Sequence, residues 1–137
     1  MRGIVLKRKK KQRRRTGIST TPRKISEMVW EFAGEYIRLG NTLEEKQNYL
    51  NSACSAWNIA CNPPEVRNKS LDQYFESFKL YNTDASDEVV SDIRSDMEKL
   101  IENKLLLFPT MNKKIVEALI THEAGKDNIV IISARVT

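Results

Sequence analysis

The densest concentration of chemically capable side chains is a run of cations near the N-terminus. Residues 7–15 read Lys-Arg-Lys-Lys-Lys-Gln-Arg-Arg-Arg, which places eight positive charges in nine positions. A Lys or Arg that neutralises a phosphate releases condensed counterions, so such a segment binds DNA or RNA, and binds it best at low salt. Nucleic-acid contacts are therefore predicted for the eight cations Lys7, Arg8, Lys9, Lys10, Lys11, Arg13, Arg14 and Arg15.

The run resembles an arginine-rich RNA-binding motif, and it equally resembles a nuclear-import signal. This resemblance covers nine residues of low complexity and identifies no family. Charge runs are weakly specific, so contact with anionic lipid, a solubility tail and an extension without a specific role stay open as alternatives. No predicted helix presents the basic and polar side chains that read base edges, so the expected contact is electrostatic.

Catalytic and metal-binding patterns are not apparent in the rest of the sequence. His122 is the single histidine, and no cysteine or serine beside it marks a nucleophilic site. Cys54 and Cys61 lie seven positions apart, which matches no structural zinc spacing. The five glycines are scattered singly and form no phosphate-binding loop. We expect a non-catalytic protein without a cofactor or a metal.

Length and composition are those of an ordinary globular domain. The 137 residues suffice for one domain, and 40% of them are hydrophobic while 30% are charged. No apolar run approaches the length of a membrane span, and the N-terminus lacks the apolar core of a secretory signal. We expect an intracellular protein, cytoplasmic or, in a eukaryotic host, nuclear.

Positive and negative charges are segregated along the chain. Residues 1–24 contain eleven of the 23 Lys and Arg residues and no acid. The remaining 12 cations stand against all 18 acids, which gives residues 25–137 a net charge of −6. A cationic block without an apolar face is typical of disorder, so we predict a disordered basic arm and linker over residues 1–20. Residues 21–137 are predicted to form a single domain.

The fold class predicted for that domain is mainly α, with about four amphipathic helices packed as a small bundle and followed by a C-terminal β-hairpin. Apolar residues recur at three- and four-residue steps in four segments. Capping residues and prolines predict where these helices begin and end. The predicted signals are Thr21-Pro22 and Gly40 for the first helix, Thr42 with Glu45 and Asn62-Pro63-Pro64 for the second, Ser70 with Gln73 for a shorter third, and the polar loop 82–87 and Pro109 for the fourth.

The C-terminal segment has a different periodicity. Residues 129–136 are rich in β-branched side chains and alternate, which predicts a strand. Residues 116–120 supply a facing strand, and together they predict a hairpin at about 114–136. Residues 111–121 also fit one face of a fifth helix, so strand and helix both stay open for this part.

The predicted hairpin has apolar side chains on both faces, and the first helix is apolar over more than half of its circumference. One face of the hairpin can pack on the helices, and a second copy of the chain would cover the other. A homodimer is therefore predicted, with a monomer that covers these faces internally as the alternative. The candidate interface residues are Trp30, Ile37, Ile115, Leu119, Ile129 and Ile131.

Two functional hypotheses follow from the sequence. In the first, the arm binds DNA or RNA phosphates while the acidic body dimerises or binds a partner. In the second, the body is an adaptor for an unknown protein partner, and the arm is incidental or a targeting signal.

Overall fold

The structure, a computed structural model, describes residues 24–136, except for the side chains of residues 132, 133 and 136. The predicted disordered arm, including its eight candidate phosphate contacts, lies outside the described residues. Four helices are followed by two antiparallel strands, as the fold-class prediction required. The elements are α1 (Ile25–Ile37), α2 (Leu43–Ala60), α3 (Pro64–Tyr81), α4 (Asp87–Leu107), β1 (Lys113–Glu123) and β2 (Lys126–Val136).

Helix α1 begins at Ile25, with Lys24 at the N-cap in an extended conformation. The predicted N-terminal signal at residues 21 and 22 lies outside the described residues. At the other end, the chain turns at Gly40, whose N–H donates to the carbonyl of Ile37 at 3.1 Å. A Cβ atom on Gly40 would lie 2.7 Å from the backbone nitrogen of Lys46, so the close approach of α2 requires a glycine here.

The predicted capping residues of α2 are confirmed. The N–H of Glu45 donates to Thr42 Oγ1 at 3.1 Å, and Glu45 Oε1 accepts from the N–H of Asn41 at 2.7 Å. In a standard capping box the glutamate accepts from the N–H of the N-cap residue, here Thr42. The Glu45 side chain instead accepts from the N–H of Asn41, the residue before it. Helix α4 begins at Asp87, at the end of the polar loop, as predicted. Ser86 is its N-cap, and Ser86 Oγ accepts from the N–H of Val89 at 3.2 Å.

The predicted start of the third helix at Ser70 was wrong, because α3 begins six residues earlier, at Pro64. Proline is favourable at the first helical position, where its missing N–H has no intrahelical acceptor. The Pro63-Pro64 pair therefore ends α2 and opens α3. Ser70 is instead used in tertiary structure, since its Oγ accepts from Asn62 Nδ2 at 2.9 Å.

The core is centred on α2, which packs against α1, α4 and β1. Trp57 is fully buried and meets Phe32 edge-on, with ring centroids 5.3 Å apart. Seven residues of α1 are buried, including Ala33 and Ile37, so its wide apolar surface is covered within the chain. Leu39 and Leu43, which lie at the connection between α1 and α2, are exposed.

Residues 113–123 form a strand, which decides between the two alternatives for this segment. The hairpin turn consists of Ala124 and Gly125, with φ angles of 53° and 79°. Two successive positive φ angles are the signature of a type I′ turn, which suits the twist of a two-residue hairpin. Within the described residues the sheet has two strands.

The alternation of side chains between the two faces of the hairpin is interrupted near its open end. Ile115 pairs with Ala134 and Ala118 pairs with Ile131, so each strand carries one extra residue between these pairs. Such bulges reverse the alternation, and a shift of one residue moves a side chain to the opposite face. Ile115 therefore joins Ile120 in the core, while Val116 and Leu119 are exposed.

Candidate functional site

Three of the six predicted interface residues belong to the core of the chain itself. The exposed fractions are 0% for Ile37, 3% for Ile115 and 7% for Ile129. Ile37 faces the interior because α1 is packed on more than one side, and the bulge turns Ile115 inward. As a correction, these three are not available as a surface for a partner.

The other three predicted interface residues retain some exposure. Leu119 is 44% exposed, whereas Trp30 and Ile131 are half-buried. The guanidinium of Arg38 lies 4.8 Å from the centroid of the Trp30 ring, which covers part of the indole by a cation–π contact.

The outer face of the hairpin carries an exposed apolar cluster. Val130 pairs with Leu119 across the strands, and Val116 follows at the bulge. Each of the three is about half exposed. We call Val116, Leu119 and Val130 the outer apolar cluster; it is the part of the predicted hairpin surface that the structure leaves accessible.

The outer edge of β1 is hydrogen-bonded by side-chain amides of α2. Asn58 Nδ2 donates to the carbonyl of Ile115 at 2.8 Å, and the N–H of Ile115 donates to Asn58 Oδ1 at 2.7 Å. Gln47 Nε2 likewise donates to the carbonyl of Ala118 at 3.1 Å, and Gln47 Oε1 accepts from the N–H of Ile120 at 2.9 Å. These two amides, which we call the amide clamp, replace a neighbouring strand. Nothing in the sequence around Gln47 or Asn58 indicates these contacts, because amides on the polar side of a helix usually face solvent.

A cleft of about 280 Å³ lies between α2 and the bulged part of β1. Burial raises the pKa of the Cys54 thiol at its wall to about 12, so this group stays protonated at neutral pH and is a poor nucleophile. The cleft offers amide, hydroxyl and backbone groups that can hydrogen-bond water or a small polar molecule. Its lining residues are Asn51, Cys54, Ser55, Asn58, Ile115, Val116, Glu117 and Ala118.

A second polar cluster lies where α4 meets the start of the hairpin. Lys104 is 1% exposed, and its Nζ donates to the carbonyl of Met111 at 2.5 Å and lies 5.3 Å from the centroid of the Trp57 ring. Trp57 Nε1 donates to the carbonyl of Lys113 at 2.8 Å. Burial lowers the pKa of the Lys104 ammonium and raises the pKa of the nearby Cys61 thiol. These contacts hold the α4–β1 connection against α2.

His122 lies at the turn end of the hairpin in an ionic network. Asp127 Oδ2 is 2.7 Å from Lys46 Nζ, and Asp127 Oδ1 is 2.8 Å from His122 Nδ1. Hydrogen bonds to the Asp127 carboxyl lower its pKa; the bond from Lys46 has the larger effect and the bond with His122 the smaller one. The network joins the hairpin to the first turn of α2, so the histidine has a structural explanation.

Comparisons with known proteins assign no family to this chain. No protein-family model matches it, and neither a curated protein nor a solved structure is significantly similar to it. Among the residues that the structure describes, no group of three or more potential metal ligands converges. None of the described helices is both long enough and apolar enough to cross a membrane.

Proposed function

We propose that the protein binds nucleic acid, DNA or RNA, through the cations of its N-terminal arm, and that this binding is electrostatic and non-catalytic. The supporting observation is the segregation of charge. Eleven cations and no acid occupy residues 1–24, whereas residues 25–137 carry a net charge of −6. A polyanion is attracted by the arm and repelled by the body, so contact is confined to the arm.

The body has a separate role in this proposal. The outer apolar cluster leaves Val116, Leu119 and Val130 half exposed on one side of a two-stranded sheet. Apolar side chains grouped on a sheet face favour contact with another protein surface. We therefore propose that the body binds a second copy or a protein partner there. An adaptor whose arm is only a targeting signal is the second candidate, and the same cluster favours it.

The test compares the full chain with a variant in which the eight cations of residues 7–15 are replaced by Gln. Binding to labelled single-stranded and duplex DNA and RNA is followed by fluorescence anisotropy between low and moderate salt. For about six phosphate contacts, log K should fall with log salt at a slope of roughly −4 to −6. The Gln variant should lose both the affinity and the slope.

The matched control replaces Lys69 and Lys79, two exposed cations of α3, by Gln. It removes charge from the body and should leave binding almost unchanged. A full chain that ignores every polynucleotide at low salt would refute nucleic-acid binding and leave only the adaptor. Equal losses in the control and in the arm variant would show that binding is not confined to the arm.

A further inference from the structure

Several cations surround the thiol of Cys61 at the open end of the hairpin. Cys61 directly follows Ala60, the last residue of α2, whose carbonyl accepts from Arg67 Nε at 3.2 Å. The thiol of Cys61 and the ammonium of Lys104 contact the same carbonyl, that of Met111. The charged groups of the described residues that act on this thiol are all cations, namely Lys104, Lys114 and Arg67.

The two strands also place like charges opposite each other at this end. Lys114 pairs with Arg135 in the antiparallel register. Directly opposite residues project from the same face of a sheet, and two like charges in such a pair are destabilising. Arg135 is exposed and Lys114 is half-buried. We call Arg67, Lys104, Lys114 and Arg135 the hairpin-end cluster.

No carboxylate within residues 24–136 forms an ion pair with the hairpin-end cluster. Other cations of the body are paired, since Lys46 lies 2.7 Å from Asp127 and Arg94 lies 2.6 Å from Asp72. Lys104 is only 1% exposed, and an ammonium buried without a counter-ion costs free energy. The cluster therefore has an excess of positive charge that a bound anion would neutralise.

We propose that the hairpin-end cluster binds a small anion that carries phosphate groups. Phosphate oxygens form strong, charge-assisted hydrogen bonds with guanidinium and ammonium donors. Arg67 uses Nε to bind the end of α2, and its terminal nitrogens have no acceptor among the described residues. Lys114 and Arg135 present further donors at the surface. Lys104 is too buried to touch the anion and attracts it through its charge.

The acidic surroundings of the cluster favour a small anion over a long one. Glu65 and Glu117 are exposed and lie two and three positions from Arg67 and Lys114, respectively. Charges at the surface act over about 8 Å at physiological ionic strength. A small anion therefore meets mainly the cluster, whereas a polynucleotide would also lie over the acidic surface around it and be repelled. The inference does not rest on the proposed binding of nucleic acid by the arm.

The test titrates pyrophosphate into the full chain at constant ionic strength, and backbone amide shifts are followed by NMR. We expect saturable shifts at Cys61, Lys114 and Arg135, with a dissociation constant of about 1 mM or lower. The variant in which the eight arm cations are replaced by Gln should show the same shifts at these residues. Shifts that vanish with the arm cations, or that do not saturate by about 10 mM, would overturn the proposal.

The substitutions Lys114→Gln and Arg135→Gln together separate binding from structure. We expect the affinity for pyrophosphate to fall by at least about tenfold. The free energy of unfolding without the anion should stay equal or rise, because two opposed like charges are removed. The matched control, Lys79→Gln with Lys126→Gln, removes the same charge from exposed positions on α3 and at the turn end of the hairpin, and should keep the affinity.

Two results with these variants would contradict the proposal. Lower stability of the Lys114→Gln and Arg135→Gln variant with an unchanged affinity would show that the two cations have a structural role only. Equal losses of affinity in this variant and in the control would show that pyrophosphate responds to the total charge of the body and has no site at the hairpin end.

The thiol of Cys61 provides a second readout, in a Cys54→Ala background that leaves one thiol. Pyrophosphate should slow its modification by a dianionic aromatic disulfide by at least about threefold, and should slow modification by uncharged iodoacetamide less. A short oligonucleotide is compared in the arm variant. Protection by the oligonucleotide but not by pyrophosphate would show that the class of anion is wrong. A failure of the unaltered chain to bind polynucleotides refutes the proposed function and leaves this readout unaffected.

Discussion

The amide clamp provides the sharpest test of the tertiary structure, through the substitution Asn58→Ala. The change removes two hydrogen bonds, at 2.8 and 2.7 Å, from the carbonyl and the N–H of Ile115. Ile115 is 3% exposed, so both backbone groups lose their partner in a largely buried position. An unsatisfied buried group costs about 1–3 kcal/mol. Because the neighbouring cleft can admit water to part of the site, we expect a total loss of about 2–4 kcal/mol.

The free energy of unfolding is measured by urea denaturation at pH 7, with Asn48→Ala as the matched control. Asn48 is an exposed amide of the same helix, and its replacement should change stability by less than about 0.5 kcal/mol. If Asn58→Ala costs no more than Asn48→Ala, the clamp does not hold the edge of β1, and the explanation of that edge fails.

Asn58→Asp distinguishes the two hydrogen bonds of the clamp. The carboxylate can still accept from the N–H of Ile115. It repels the carbonyl oxygen of Ile115, to which the amide nitrogen of Asn58 donates in the parent protein. Protonation restores a donor, so the folded state should raise the pKa of the new carboxyl. A raised pKa contributes stability that is present below the unfolded pKa of about 3.9 and is lost as the pH rises through the folded pKa. The variant should therefore be closest to the parent near pH 3–4, and a deficit independent of pH would contradict this account.

Two further predictions follow from close packing and from a buried thiol. Gly40→Ala should destabilise the protein by about 1–3 kcal/mol in thermal or urea unfolding, because the new Cβ would lie 2.7 Å from the backbone nitrogen of Lys46. In the control Gly34→Ala the nearest atom belongs to the Trp30 side chain at 3.0 Å, so neutral or improved stability is expected, and equal losses would refute the backbone contact. Cys54 contributes stability below its unfolded pKa of 9.0, which is lost as the pH rises toward its folded pKa of about 12. Relative to Cys54→Ala, the parent should therefore lose about 3 kcal/mol between pH 8 and pH 11, and a constant difference would contradict the assigned burial.

Local sequence signals were sufficient wherever the determining interactions lie within a few residues. Thr42 and Ser86 accept hydrogen bonds from residues three positions ahead, so their role as caps depends on the adjacent chain alone. The four helices and the hairpin follow from the same short-range periodicity. The charge contrast between residues 1–24 and the rest is likewise a property of the sequence, and the proposed binding of nucleic acid remains a prediction from it.

Which side chains are buried, and which groups hydrogen-bond the edge of β1, depends on contacts between residues distant in sequence. Only the tertiary structure decided these contacts. Asn58 and Ile115 are separated by 57 positions, and nothing beside either residue indicates that an amide of α2 replaces a strand next to β1. The bulges that turn Ile115 inward arise from the pairing of two strands, so alternation along one strand could not reveal them. The burial of Ile37 also depends on residues distant in sequence. The wide apolar surface of α1 indicates that it must be covered, but only the packed structure shows that α2, α4 and β2 of the same chain cover it.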